Sequence, residues 1–90
     1  MQVTLTRPFE RALKKLSSAN AEDTVAALEL FIANPQAKSL NFERVRSRKG
    51  YFTIRANFST RVLLRQTGIQ EYDAVAVGNH DYIYESYFRS

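Results

Sequence analysis

The chain has 90 residues, with thirteen Lys and Arg against nine Asp and Glu, a formal charge of +4 and no cysteine. The missing cysteine excludes disulfides, thiolate metal sites and cysteine nucleophiles, and a domain this small has too thin a core to enclose a large cofactor. At 44% hydrophobic and 24% charged the composition is that of one folded domain, and its apolar runs, such as 25–28 and 74–77, are far short of the roughly 20 residues that cross a bilayer.

Gln2, Thr4 and Thr6 stand where a signal peptide would be apolar, so the expected compartment is the cytoplasm, with no membrane partner. Val3 and Leu5 alternate with those polar residues and predict a short first strand. Pro8 suits the first turn of a helix, in which Phe9, Ala12, Leu13 and Leu16 recur at helical spacing with Arg11, Lys14 and Lys15 on the other side. Residues 17–20 break that pattern. Asn20 reads as the next N-cap, Glu22 and Asp23 favour the positive end of the helix dipole, and Val25, Leu28, Phe31 and Ile32 form a second apolar stripe, ended by Asn34-Pro35. Two such helices joined by a short turn predict an αα-hairpin with one buried face.

After Leu40 the apolar period changes to two. Tyr51, Thr53, Arg55 and Asn57 alternate with Phe52, Ile54, Ala56 and Phe58, and Arg61, Leu63 and Arg65 alternate with Val62 and Leu64. Ser59-Thr60 is a tight connection, Gly68 supplies the next turn, and 73–77 is apolar enough for a central strand. Short spacers predict an antiparallel meander. The expected fold is therefore α+β: a single domain, 1–90, with an N-terminal helical hairpin packed on one face of a small, mainly antiparallel sheet and a short C-terminal helical segment. If Ile54, Ala56, Val62 and Leu64 face the helices, parity sends Thr53, Arg55, Arg61 and Arg65 to the opposite, open face.

Charge sharpens that picture. Residues 1–20 carry a net +3, 21–39 a net −2, 40–66 a net +6 and 67–90 a net −3. Six of the seven cations in the basic middle are Arg, whose planar fork matches phosphate, so an anionic partner is expected. Arg44, Arg46, Arg48 and Lys49 read as a footprint on an anionic partner and not as a reaction centre, with affinity falling steeply in salt. The last stretch holds the only histidine, His80, just after Gly78, and three of the five tyrosines, Tyr82, Tyr84 and Tyr87. Histidine is the side chain suited to exchanging protons near neutrality, and Gly78 permits a sharp exit that leaves His80 at the rim of the sheet. The tyrosines and Phe88 also suit a C-terminal turn pinned to the sheet. Asp81 and Glu85, four apart beside one histidine, supply too few ligands for a metal centre, so neither metal nor cofactor is expected.

Three segments in this order, Gly50-Tyr51-Phe52-Thr53-Ile54-Arg55, Thr60-Arg61-Val62-Leu63-Leu64 and Val77-Gly78-Asn79-His80-Asp81-Tyr82-Ile83-Tyr84, resemble the RelE/ParE superfamily of bacterial type II toxins. The resemblance spans nearly the whole chain. It implies a metal-independent endoribonuclease that cuts mRNA, on the ribosome, through attack by the substrate's own 2′-hydroxyl. On that reading Arg61 matches a phosphate-contacting arginine, Arg55 a basic residue of the preceding strand, Tyr84 the C-terminal tyrosine, and His80 a position held by Arg or His. Thr53 stands where RelE carries a second lysine, which leaves His80 as the proton carrier. Arg44, Arg46, Arg48, Lys49, Arg65 and Tyr82 would contact mRNA and ribosomal RNA, and a cognate antitoxin would be the protein partner. The alternative within the superfamily is a ParE-like toxin that inhibits DNA gyrase and is not a nuclease.

Overall fold

A computed structural model describes residues 1–89. The elements are β1 (Gln2–Leu5), α1 (Arg7–Lys14), α2 (Ser18–Ala33), a 3₁₀ turn (Lys38–Leu40), β2 (Glu43–Arg44), β3 (Tyr51–Arg55), β4 (Arg61–Gly68) and β5 (Glu71–Gly78). A π-helical turn (Tyr82–Ser86) and a 3₁₀ turn (Tyr87–Arg89) follow. The five strands form one sheet in the order β1-β5-β4-β3-β2. β1 lies parallel to β5 while the other neighbours are antiparallel, so the α+β fold is built on a mixed sheet. Because β1 and β5 are parallel and far apart in sequence, the chain between them, both helices included, must cross over.

Local chemistry sets the helix boundaries. The Thr6 hydroxyl accepts the Phe9 N–H at 3.3 Å and donates to the Ala74 carbonyl at 2.9 Å, capping α1 and tying it to β5. The cap of α2 differs from the sequence expectation: Ser17, not Asn20, is the N-cap, and its hydroxyl accepts the Asn20 N–H at 3.2 Å. Asn20 sits in the first turn, and its side-chain oxygen is taken by the Asn57 amide at 2.9 Å. The buried stripe of α2 is also rotated by one position, to Thr24, Ala27, Leu28 and Phe31, leaving Val25 and Ile32 exposed. Thr24 can be buried because its hydroxyl donates to the Asn20 carbonyl at 2.8 Å, and the small Ala27 lets the helix sit close to the sheet.

Phe9 of α1 and Ala27, Leu28 and Phe31 of α2 share one core with Ile54, Val62, Leu64, Ala74 and Val77, which places both helices on one face of the sheet. Phe31, Phe42, Phe52 and Tyr72 extend it as an aromatic cluster with ring centroids 5.1–6.2 Å apart.

The second face departs from the parity expectation, because much of it is covered. Val45, Leu63, Val75, Ala76 and Ile83 form a second buried cluster, flanked by Tyr51, Tyr84, Tyr87 and Phe88. Leu63 pairs with Ala76 and Leu64 with Ala74, so Val75 is an extra residue in β5, and that bulge puts both Val75 and Ala76 in the second core. Three apolar side chains on a small sheet need cover, and the C-terminal aromatics supply it. Thr53, expected on an open face, is only 2% exposed.

Candidate functional site

The site begins where β5 ends. The Asn79 side-chain oxygen accepts the Tyr82 N–H at 2.8 Å and its carbonyl accepts the Ile83 N–H at 3.1 Å, which winds the chain into the terminal turn. A methyl group on Gly78 would lie 2.7 Å from Cδ2 of Tyr82, so the turn closes this tightly only over glycine. Ile83 plugs the second core, and this fixes His80 and Tyr84 on one side of the turn. Their rings lie 4.5 Å apart between centroids, tilted by 39°. The His80 Nδ1 is 3.5 Å from Asp81, a weak contact that leaves the ring free to meet a ligand.

Tyr84 is anchored from below, where its hydroxyl and that of Thr53 share a hydrogen bond of 2.8 Å. Thr53 faces Glu43 across the β2–β3 pair. The result is a cleft of about 360 Å³ whose walls are Glu43, Arg44, Arg46, Ser47, His80 and Tyr84. Its lining residues are two arginines, one glutamate, one serine, one histidine and one tyrosine. Such a set can hold a phosphate and move protons on either side of it.

His80 and Tyr84 thus meet as the sequence suggested, but the arginines beside them are Arg44 and Arg46, expected only to grip an RNA backbone. Arg61 is paired in register with Gly78, close in chain terms to His80. One of its terminal nitrogens is turned back onto the β3–β4 connection, donating to the carbonyls of Asn57 (3.0 Å), Phe58 (3.2 Å) and Thr60 (3.4 Å). Arg55 is exposed and lines a separate hollow with Asp23, Ala26, Leu30 and Ser39, on the α2 side. Arg65 is bound to Asp73 at 2.7 Å, and its hydrogen bonds to Asp73 and then Tyr51 raise its pKa above the ordinary arginine value. Arg48 lies 4.9 Å over the Phe88 ring and Lys49 is exposed on the 45–50 loop. Tyr82 faces a different hollow, against α1.

Glu43 is the residue that sequence reasoning passed over. It is the only acidic residue in the basic middle, a signal legible in the sequence, but its relation to His80 depends on the β2–β3 pairing and on the terminal turn.

No protein-family model and no curated protein matches the sequence. Solved structures do match. The YoeB/ParE toxin from Agrobacterium tumefaciens superposes with a TM-score of 0.71 at 16% identity, covering 89% of this chain and 99% of that one. YafQ from E. coli strain BL21(DE3) gives a TM-score of 0.73 at 14% identity over 91% of this chain and 96% of its own. The chain has the RelE/ParE toxin fold. A chain of the RelBE2 toxin–antitoxin complex from Mycobacterium tuberculosis is similar at 23% identity, with a TM-score of 0.56 over 88% of this chain and 96% of that one. The likeness takes in 88–91% of this chain, so it is a likeness of the whole fold and not of one motif.

Proposed function

We propose that the protein is the toxin of a type II toxin–antitoxin pair and acts as a metal-independent endoribonuclease. The observation that carries the reading is the cleft itself, where His80, its ring 4.5 Å from that of Tyr84, shares one hollow with Glu43, Arg44 and Arg46. RNA can supply its own nucleophile, so such an enzyme needs a base, an acid and cations. Glu43 takes the proton from the 2′-hydroxyl as its oxygen attacks phosphorus. His80 gives a proton to the departing 5′-oxygen as the P–O5′ bond breaks, and the product is a 2′,3′-cyclic phosphate. Arg44 and Arg46 bind the phosphoryl oxygens as charge builds on them. Tyr84, held by Thr53, supports the His80 ring and offers a surface on which a base stacks. Arg61 holds the neighbouring turn in place beside Gly78.

The substrate proposed is mRNA on the ribosome, with Arg48 and Lys49 of the 45–50 loop meeting ribosomal RNA. An antitoxin encoded with it is the proposed partner, as in the DinJ–YafQ complex from E. coli, a chain of which superposes with a TM-score of 0.69 over 91% of this chain. The proposed compartment is the cytoplasm. The test is to map RNA ends after brief induction. Cuts within messages, abolished in His80→Ala and in Glu43→Gln while both proteins unfold at the wild-type midpoint, are the expected result. DNA damage with intact mRNA would instead favour the gyrase-inhibiting alternative.

A further inference from the structure

A second hollow lies on the other side of the same terminal turn. At about 450 Å³ it is larger than the cleft, and it runs between α1 and the end of β5, with Arg11, Lys15, Asn79 and Tyr82 around a floor that includes Pro8 and Leu16. We infer that this hollow holds a nucleotide of single-stranded RNA flanking the one that is cut, its phosphate on Arg11 and Lys15 and its base on Tyr82. The inference rests on the ribonuclease reading above and extends its substrate contact to α1.

Three observations carry it. Arg11 and Lys15 are four residues apart at the end of α1, so their heads share one side of the helix, where like charges weaken it unless an anion lies between them. Both side chains are exposed, and neither takes part in the ion pairs found among the described residues. Tyr82 is 43% exposed, yet its ring is held in place by the close approach to Gly78, the Asn79 bond to its N–H and an edge contact with Tyr87 at 6.4 Å. An aromatic face fixed before binding loses little freedom when a base stacks on it. Tyr82 and Tyr84 belong to one turn and face different hollows, so a strand crossing that turn meets the reaction cleft on one side and the α1 hollow on the other. An acidic peptide would satisfy the cations but would leave the aromatic face unused, which is why RNA is the occupant favoured.

The test uses the full chain and a short fluorescent 2′-O-methyl RNA, which has no free 2′-hydroxyl and cannot be cut. Arg11→Gln with Lys15→Gln should weaken binding about tenfold and reduce the magnitude of the salt slope by about 0.7 for each phosphate no longer gripped. Tyr82→Ala should weaken binding by about tenfold with the slope unchanged, and Tyr82→Phe should bind as wild type, which separates stacking from any effect of the hydroxyl. Wild-type affinity in the folded double variant would overturn the inference. So would loss of binding to a poly-glutamate peptide with RNA binding intact, which would assign the hollow to an acidic protein segment. The ribonuclease reading is judged separately on cleavable RNA. Normal cutting by His80→Ala sinks that reading, whereas normal binding by the double variant sinks only the α1 hollow.

Discussion

Arg61 shows how one side chain serves a turn. Its terminal nitrogen meets three carbonyls of the β3–β4 connection, and the same turn is tied to α2 where the Asn57 amide donates to Asn20 and, at 2.8 Å, to Asp23. The Asn57 side-chain oxygen in turn accepts the Ser59 N–H at 2.9 Å. Removing a charged donor leaves those carbonyls to water or to nothing, so Arg61→Ala should lower stability by about 1–2 kcal/mol in urea denaturation. An unchanged midpoint, together with abolished cleavage, would return Arg61 to a direct role on phosphate. The sequence could mark Arg61 as special, since an arginine in an alternating strand beside a turn stands out. It could not show which way the guanidinium folds, because that depends on carbonyls of a turn not yet formed.

At the scale of elements, the ends of α2 and the terminal turn carry the lesson. Both Ser17 and Asn20 are competent caps, and propensity alone does not choose between them. The choice falls to Ser17 because Asn20 is then free to bind Asn57 across the fold. Ser17→Ala should therefore cost about 1 kcal/mol as the helix goes uncapped. Asn20→Ala should cost a comparable amount by loosening the β3–β4 turn, and a double variant with Asn57→Ala should lose less than the sum of the two single losses. Additive losses in that cycle would refute the coupling.

The terminal turn has its own sensitivity. Burial, reinforced by nearby Tyr51, raises the pKa of Tyr87 above the ordinary value of 10.0. The folded chain thus holds that proton more tightly than the unfolded one. The associated stability is complete below about pH 10 and is lost as pH rises past it, when the unfolded state ionises first. Urea midpoints should fall between neutral pH and about pH 10.5, and Tyr87→Phe should flatten that decline. Equal slopes in the two proteins would show that Tyr87 is not responsible.

On the scale of the whole molecule, two small cores share one sheet, and the lesser depends on a short tail. Ile83 is wholly buried against Leu63, Val75 and Ala76. Truncating such a side chain to alanine typically costs about 2–5 kcal/mol, a large share of the roughly 5–15 kcal/mol that holds a domain together. Ile83→Ala should therefore lower the melting temperature sharply and, because Ile83 positions the turn, reduce cleavage in parallel. A variant that melts normally and still cuts would show that the turn is placed by something other than this packing.

Periodicity and composition by themselves determined much of this protein. The change from a helical to an alternating pattern after Leu40 marks helices before strands, and the absence of cysteine with a single histidine narrows the chemistry. Such features are local, written in the order and spacing of residues. What only the tertiary structure decided is what those residues meet. The second face of the sheet is closed because the tail returns to it, β1 adds parallel to β5 at one edge, and Glu43 lines one hollow with His80 because a two-residue edge strand pairs with β3. Alternation along a strand gives a side chain its direction; whether that direction leads to water, to a second core or to another ionisable group depends on segments far away in the chain.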